Sequence, residues 1–229
     1  MKIKSVIIVV CIFIAGISCS RNSAPQGEGT QTHEVVVKNQ SHSFELFLPA
    51  GYDSKKTYPL IVSFDSHGNG SKAIEGFKKS ANRFGFIVVG SNLIKNGIDN
   101  YENLITELIN DVKDRYSVDS RLIYTAGFSG GARMALYYGI RNQLTGVVAC
   151  GAAIRYSDLE QTASQAYIFN IAGSRDFNNL ESTYFPGSPE SSAGKYMTLN
   201  FTGVHEWPSE KTISYAVEFL YARSVIDKI

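Results

Sequence analysis

Ser129, Asp176 and His205 are the residues whose types and order could together perform nucleophilic chemistry. A serine hydroxyl attacks a carbonyl carbon well only when a base takes its proton and an acid orients that base. Of the four histidines in the chain, His205 is the one that follows Ser129. Asp176 is the preferred acid because it follows a predicted strand closely, and Asp158 is the alternative. Asp176 could instead be a surface residue that caps a turn.

The pentapeptide GFSGG, at Gly127 to Gly131, sets Ser129 between a predicted strand and a predicted helix. A chain that passes from strand to helix within a few residues forces the central serine into a strained backbone conformation. Glycines two residues before and after it let the strand and the helix approach without Cβ clashes. The helix N-terminus adds positive potential beside the hydroxyl. The pattern predicts a nucleophile elbow, and the alternative is a glycine-rich turn with an incidental serine.

The hexapeptide DSHGNG, from Asp65 to Gly70, follows the first predicted parallel strand. Acyl transfer needs donors for the oxyanion, and backbone N–H groups from such a loop and from the residue after the nucleophile can supply them. We predict Asn69 and Gly130 as these donors, and we expect the His67 side chain to brace the loop. The chain has neither the dinucleotide-binding nor the P-loop glycine pattern, which weakens a phosphate-binding interpretation.

Short apolar segments alternate with amphipathic segments along most of the chain, a pattern typical of βαβ units around a parallel sheet. Strands of such a sheet are apolar on successive residues because both faces are covered. The first two predicted strands are separated by a polar turn and indicate an antiparallel edge hairpin. The predicted strands are His33–Lys38, Ser43–Leu48, Leu60–Phe64, Phe86–Val89, Leu122–Ala126, Gly146–Cys150, Tyr167–Ala172 and Thr198–Phe201. The predicted helices are Lys72–Phe84, Tyr101–Tyr116, Ala132–Arg141 and Ser209–Arg223.

Residues 1–18 have the pattern of a secretory signal peptide, with a basic start and an apolar run that is short for a membrane-spanning helix. The run ends at Cys19 and resembles a bacterial lipoprotein signal, in which that cysteine carries the lipid. An ordinary cleaved signal or an uncleaved anchor are the alternatives. Residues 19–31 are predicted to be a flexible tether and residues 32–229 a single domain. We therefore expect an exported lipoprotein, periplasmic or at the cell surface, or otherwise a secreted protein.

The composition argues against several classes of protein. The chain has 22 Lys and Arg against 21 Asp and Glu, and these charges are scattered, so no nucleic-acid partner is expected. Neither a CxxC motif nor a His-rich spacing indicates a metal. Cys150, in an apolar stretch, is expected to be a small buried hydrophobe rather than half of a disulfide.

Together these motifs resemble the α/β-hydrolase superfamily, and within it the secreted esterases related to polyhydroxybutyrate depolymerases, feruloyl esterases and dienelactone hydrolases. The resemblance implies a three-layer α/β fold with a mostly parallel sheet, a Ser-His-Asp triad and hydrolysis of carboxylic esters without a cofactor. The implied partner is a small-molecule or polysaccharide-linked ester. In this interpretation Trp207 walls one side of the His205 imidazole. The resemblance rests on Phe47–Tyr52, His67–Gly70, Arg121–Gly131, Gly173 with Asp176, and Gly203–Pro208.

Two departures from the family pattern bear on activity. Asp65 and Ser66 stand before the HG pair, where relatives carry a hydrophobic residue, and the extra carboxylate could disturb the oxyanion loop. Phe177–Tyr196 is expected to be a loop where relatives place a helix. These departures motivate a second hypothesis, a catalytically inert protein of this fold that binds a glycan or a protein. A third hypothesis is a serine peptidase of the prolyl oligopeptidase type, in which the triad order would be the same.

The loop Ser91–Gly97 follows the second predicted parallel strand and should overlook the substrate pocket. Its amides, with Asn92 as the residue to test, could bind a polar substrate such as a sugar ester.

Overall fold

The computed structural model describes residues 29–36, 43–154, 166–184 and 195–226. The predicted signal peptide, Cys19 and Asp158 lie outside these ranges. Among the described residues, no helix has both the length and the apolar composition to cross a membrane. The strands are β1 (Thr30–Val36), β2 (Ser43–Leu48), β3 (Tyr58–Phe64), β4 (Ile87–Ser91), β5 (Val118–Phe128), β6 (Gly146–Cys150), β7 (Tyr167–Gly173) and β8 (Tyr196–Phe201). The helices are α1 (Gly70–Glu75), α2 (Lys78–Phe84), α3 (Tyr101–Arg115), α4 (Gly130–Arg141), α5 (Asn179–Tyr184) and α6 (Glu210–Ile226).

The described strands form one sheet in the order β1-β2-β4-β3-β5-β6-β7-β8. The pairs β1–β2 and β2–β4 are antiparallel, and every pair from β4 to β8 is parallel. The predicted antiparallel edge hairpin and the mostly parallel sheet are therefore confirmed.

Both faces of the sheet are covered by helices, which explains the continuous apolar strands. Along β3, Leu60, Val62 and Phe64 join the core under α3 and α4, while Ile61 joins the core under α1, α2 and α6. Successive side chains of a strand point to opposite faces, so a strand buried on both sides must be apolar at each step. The result is the three-layer α/β/α architecture that the sequence resemblance implies.

The strand order reverses at β3, because β4 lies on one side of it and β5 on the other. The chain crosses one way from β3 to β4 and back the other way to β5, which opens a crevice where the loops after β3 and β5 diverge. In the β3–β5 register Phe64 lies opposite Gly127. The loop that begins at Asp65 and the turn that holds Ser129 therefore leave the sheet side by side.

The predicted helix Lys72–Phe84 is wrong in one respect, since it is two helices, α1 and α2, joined at Gly76 and Phe77. The Phe77 N–H donates to the carbonyl three residues back, at Ile74, rather than four. Glycine is a weak helix former. Because Gly76 has no Cβ, the side chain of Ile213 in α6 can pack directly against it. A Cβ at this position would overlap Ile213. Close packing between distant helices therefore accompanies the break, and helical periodicity alone does not reveal it.

Several other element boundaries also differ from the predictions. β1 begins at Thr30, inside the predicted tether of residues 19–31, because Thr30 and Gln31 pair with β2. β5 begins at Val118 rather than at Leu122, because Val118 extends the pairing with β3 at Tyr58. The segment 177–196, predicted to be a loop, contains α5 and the first residue of β8, while residues 185–194 lie outside the described ranges.

Cys150 is completely buried at the end of β6. This burial raises the pKa of its thiol, because the thiolate would lose its hydration there. Cys150 is thus the small buried hydrophobe that the sequence predicts.

Candidate active site

Ser129 occupies a strained turn between β5 and α4, with φ of 55° and ψ of −119°. A positive φ is unfavourable for a residue with a Cβ, so the surrounding structure must hold it. The Ser129 N–H donates to the Cys150 carbonyl of β6 at 2.8 Å, and the Ser129 carbonyl accepts from Arg133 N in α4 at 3.2 Å. These bonds tie the strained residue to the next strand and to the first turn of the helix.

The glycines on either side of Ser129 are required by close backbone approach. A Cβ at Gly127 would overlap the backbone of Gly131, and a Cβ at Gly131 would overlap the carbonyl group of Phe64 at the end of β3. Two neighbouring strands and one helix therefore meet at the turn without side chains between them. This is the geometry that the GFSGG pattern predicts for an elbow.

Ser129, His205 and Asp176 lie in a hydrogen-bonded row. Ser129 Oγ is 2.9 Å from His205 Nε2, and His205 Nδ1 is 2.9 Å from each carboxylate oxygen of Asp176. An ionised carboxylate can only accept hydrogen bonds, so Nδ1 donates and the lone pair of Nε2 accepts from the serine hydroxyl. The Asp176 side chain is 1% exposed and that of His205 is 19% exposed. The row can therefore move a proton from Ser129 to the imidazole while the carboxylate stays shielded from water.

Asp176 lies in the turn between β7 and α5 and is held by its own backbone neighbours. Its N–H donates to Gly173, and its Oδ1 accepts from the Asn178 N–H at 2.7 Å. Asp176 is therefore a buried residue that contacts His205, and the alternative that it is a surface residue is wrong. Asp158, the alternative acid, lies outside the described residues.

Two phenyl rings pack against the imidazole of His205. The ring centroid of Phe128 lies 4.7 Å from it and that of Phe177 lies 4.1 Å from it. Phe128 is buried, whereas Phe177 is 73% exposed beside the base. The prediction that Trp207 walls the imidazole is wrong, because Trp207 packs on Phe128 instead, with centroids 5.4 Å apart.

The backbone of the loop after β3 leaves the predicted donor available. The N–H groups of His67 and Gly68 donate to Asp65, and that of Gly70 donates to Asn92 Oδ1. Among the described residues, no partner accepts from the backbone N–H of Asn69 or of Gly130. Gly130 begins α4, where the helix dipole favours a negative charge. These two N–H groups remain the candidates for binding an oxyanion.

The Asn69 side chain has a separate task from its backbone. It caps α1, since its Oδ1 accepts from the Lys72 N–H at 2.9 Å.

Asp65 supports the loop, contrary to the disturbance expected from the sequence. It is 1% exposed, its Oδ1 accepts from the His67 N–H at 2.9 Å, and its Oδ2 accepts from Trp207 Nε1 at 2.8 Å. The His67 side chain, expected to brace the loop, is 86% exposed, and among the described residues its polar partners are Ser66 and Asp65. The bracing group is the carboxylate of Asp65.

Asn92 is part of the framework rather than a free substrate ligand. Its Oδ1 accepts from Gly70 N, and its Nδ2 donates to Ser43 Oγ at 3.0 Å. The residue of this loop that reaches the elbow is Asn96, whose exposed side chain lies so close to Gly130 that it would overlap a Cβ there. That the loop overlooks the substrate pocket stays a prediction, and within the loop the structure places Asn96, rather than Asn92, beside the elbow.

The sequence of the site also matches a known protein family over part of the chain. A family described as phospholipase/carboxylesterase matches residues 87–178, a range that includes Ser129 and Asp176 and ends before His205. The sheet and the elbow between β5 and α4 give the chain the α/β-hydrolase fold, and the family match covers the part of that fold from β4 to the Asp176 turn. They confirm the resemblance to that superfamily and to its esterase branch. The comparison with curated protein sequences gave no match.

Solved structures of esterases and related hydrolases share the fold at low sequence identity. S-formylglutathione hydrolase (FrmB) from Staphylococcus aureus is 12% identical with a TM-score of 0.68, covering 84% of this chain and 98% of that one. The feruloyl esterase module from Clostridium thermocellum, complexed with sinapinate, is 18% identical with a TM-score of 0.66, covering 87% and 89%. A ferulic acid esterase is 19% identical with a TM-score of 0.65, covering 85% and 96%. At these identities the likeness establishes the fold alone.

Proposed function

We propose that this protein is a serine hydrolase that cleaves carboxylic esters. The observation that carries the proposal is the row of hydrogen bonds from Ser129 Oγ through the His205 imidazole to the buried Asp176 carboxylate. The carboxylesterase family match and the esterases among the structural neighbours support the same class of reaction.

Acylation begins when Ser129 Oγ attacks the carbonyl carbon of the ester while His205 Nε2 takes the hydroxyl proton. Asp176 accepts the Nδ1–H bond, keeps the imidazole in the productive tautomer and stabilises its cationic form. The N–H groups of Asn69 and Gly130 bind the oxyanion of the tetrahedral intermediate. The imidazolium then gives its proton to the leaving alkoxide, so the alcohol departs and an acyl-serine remains.

Deacylation repeats these steps with water as the nucleophile. His205 takes a proton from the water as it attacks the acyl carbon, and the same N–H groups bind the second oxyanion. Collapse of the intermediate returns the proton to Ser129 and releases the carboxylic acid. No redox step occurs, so these residues balance the reaction without a cofactor.

Turnover of p-nitrophenyl acetate by the purified protein tests the proposal. Ser129→Ala removes the nucleophile and should lower kcat by about 10⁴-fold or more. Ser174→Ala, at an exposed serine near Asp176, is the matched control and should keep wild-type turnover. Equal turnover by Ser129→Ala and the wild type would contradict the proposal.

A fluorophosphonate probe separates the enzyme from an inert protein of the same fold. An activated Ser129 should be labelled stoichiometrically, and the label should be absent from Ser129→Ala. If the folded wild type neither takes the label nor turns over esters, the inert binding hypothesis is favoured. Cleavage of a peptide panel without ester turnover would favour the peptidase hypothesis.

We propose further that the protein is exported and that Cys19 anchors it to a membrane by a lipid. The support is the sequence of the first 19 residues, namely a basic start, an apolar run and a cysteine at its end. Cells fed a clickable fatty acid should label the wild type and Cys11→Ser, and should not label Cys19→Ser. Equal labelling of Cys19→Ser and the wild type would refute the assignment of Cys19.

A further inference from the structure

We infer that Asp65 is a positioning residue whose carboxylate joins the oxyanion loop to the segment that carries His205. The inference rests on the proposed ester hydrolysis. It concerns how the oxyanion loop and the segment that carries His205 are held in place relative to each other. Asp65 touches none of the reacting groups in the proposed mechanism and acts through Trp207 and His67.

Each carboxylate oxygen of Asp65 serves a different part of the site. Oδ1 accepts from the backbone N–H of His67, two residues before the proposed oxyanion donor Asn69. Oδ2 accepts from the indole N–H of Trp207, 142 residues farther along the chain and two residues after His205. The carboxylate is therefore a direct bridge between the loop of the oxyanion donor and the loop of the base.

Trp207 extends this bridge to the nucleophile and the imidazole. Its ring packs on Phe128 at 5.4 Å, and Phe128 packs on His205 at 4.7 Å. Phe128 is also the residue immediately before Ser129. A change at Asp65 thus reaches His205 through three successive contacts, from Asp65 to Trp207, then to Phe128 and then to the imidazole, besides acting directly on the loop of Asn69.

A charged group suits this bridge better than an apolar one. A hydrophobic residue at position 65 would remove the acceptor of both the indole N–H and the His67 N–H, which are partly shielded from water. A carboxylate has two oxygens that accept from two directions, and its charge makes these hydrogen bonds stronger. Its burial at 1% exposure keeps water from competing for them.

Loss of the bridge should slow the chemical step more than it weakens substrate binding. Displacing a catalytic group by about 1 Å can cost about 100-fold in rate. We therefore expect Asp65→Ala to lower kcat by about 30-fold to 100-fold with KM changed by less than about three-fold. Trp207→Phe keeps the ring but lacks the donor, and should lower kcat by about 10-fold. The combined variant should be no slower than Asp65→Ala, because both changes break the same bond.

Asp65→Asn is the conservative variant that checks rescue. Its amide oxygen can accept from Trp207 or from His67 but its amide nitrogen can only donate, so kcat should lie between those of Asp65→Ala and the wild type. Asp111→Ala is the matched control, since Asp111 is also a buried carboxylate but lies on α3 and pairs with Arg115. It should lower the melting temperature without lowering kcat at a temperature where the protein is folded.

The indole of Trp207 provides a readout that needs no activity, because it is the single tryptophan in the chain. Its one Nε1–H resonance in an NMR spectrum should exchange with solvent slowly in the wild type and in Asp111→Ala. Exchange should be at least about ten-fold faster in Asp65→Ala, because the acceptor that protects the proton is gone.

The combined outcomes decide the inference. Faster indole exchange together with a lower kcat and a steady KM supports it. Unchanged exchange, wild-type kcat in folded Asp65→Ala, or additive losses in the combined variant would each overturn it. A wild type without ester turnover or fluorophosphonate labelling overturns the proposed function and the catalytic part of the inference together. The exchange measurement still shows whether the Asp65–Trp207 bond exists, so the two failures can be told apart.

Discussion

The two halves of the candidate site are built in different ways. Ser129, His205 and Asp176 meet through their side chains, with each successive contact at 2.9 Å. The proposed oxyanion half consists of the backbone N–H groups of Asn69 and Gly130, which are positioned by other residues. In the proposed mechanism the side chains of the first half carry the chemistry, whereas the side chains of the second half only hold the main chain in place.

This difference determines which half of the site a point mutation can remove directly. A side chain of the triad can be removed directly, whereas a backbone N–H survives nearly every substitution of its own residue. The oxyanion half must therefore be perturbed through its supports, which are Asp65, Asn92 and the close contact of Gly131 with β3.

The largest effect is expected at Asp176, the proposed acid of the triad. Asp176→Asn preserves the shape but donates where the carboxylate accepted, which favours the wrong imidazole tautomer, and kcat should fall by about 10⁴-fold. Steady-state turnover of a short-chain ester measures this loss. Asp158→Asn, at the alternative acid, should keep wild-type turnover. A large loss in Asp158→Asn with full activity in Asp176→Asn would reverse the assignment.

Gly131→Ala should disrupt the close contact between Gly131 and Phe64, which joins the two halves of the site. Its Cβ would overlap the Phe64 carbonyl, so either the elbow or the start of the oxyanion loop must move. We expect a loss of about 1–3 kcal/mol in the free energy of unfolding and a lower kcat, measured by urea titration and ester turnover. Gly51→Ala is the control, because Gly51 has φ of +70° but open space around it and lies between β2 and β3. It should lose some stability and keep kcat, and an equal fall in kcat would argue against a local clash.

Asn92→Ala removes a support without touching the reacting groups. The Gly70 N–H and the Ser43 hydroxyl would lose their partner, which should cost about 1–2 kcal/mol of unfolding free energy. The preference among acetylated and feruloylated sugars should stay unchanged. Asn96→Ala should do the reverse, changing that preference with little loss of stability, because Asn96 is exposed against Gly130. A changed preference in Asn92→Ala alone would restore Asn92 as a substrate ligand.

Asn69→Ala should have the smallest effect. It removes the cap of α1 at a cost of about 1 kcal/mol in unfolding free energy but retains the backbone N–H. Turnover should remain within about two-fold of the wild type when it is measured well below the melting temperature. A loss of 10²-fold or more, the range typical of a missing oxyanion donor, would mean that the side chain itself binds the oxyanion.

The local pattern of the sequence determined the α/β class, the antiparallel edge and the elbow at Ser129. Burial on both faces makes a parallel strand apolar at every step, and a turn from strand to helix needs glycines at set distances from its serine. Both requirements act over a few residues, so they can be read from the chain. The order of Ser129, Asp176 and His205 was readable for a related reason, since few residue types can act as nucleophile, acid and base.

Tertiary structure alone decided how the oxyanion loop is held and which residues border it. Trp207 is 142 residues from Asp65, so nothing local indicates that its indole meets that carboxylate. The break at Gly76, the framework role of Asn92 and the approach of Asn96 to Gly130 likewise depend on contacts between elements distant in sequence. Periodicity tells which face of an element is buried, but the partner that a buried polar group finds is set only when the whole chain packs.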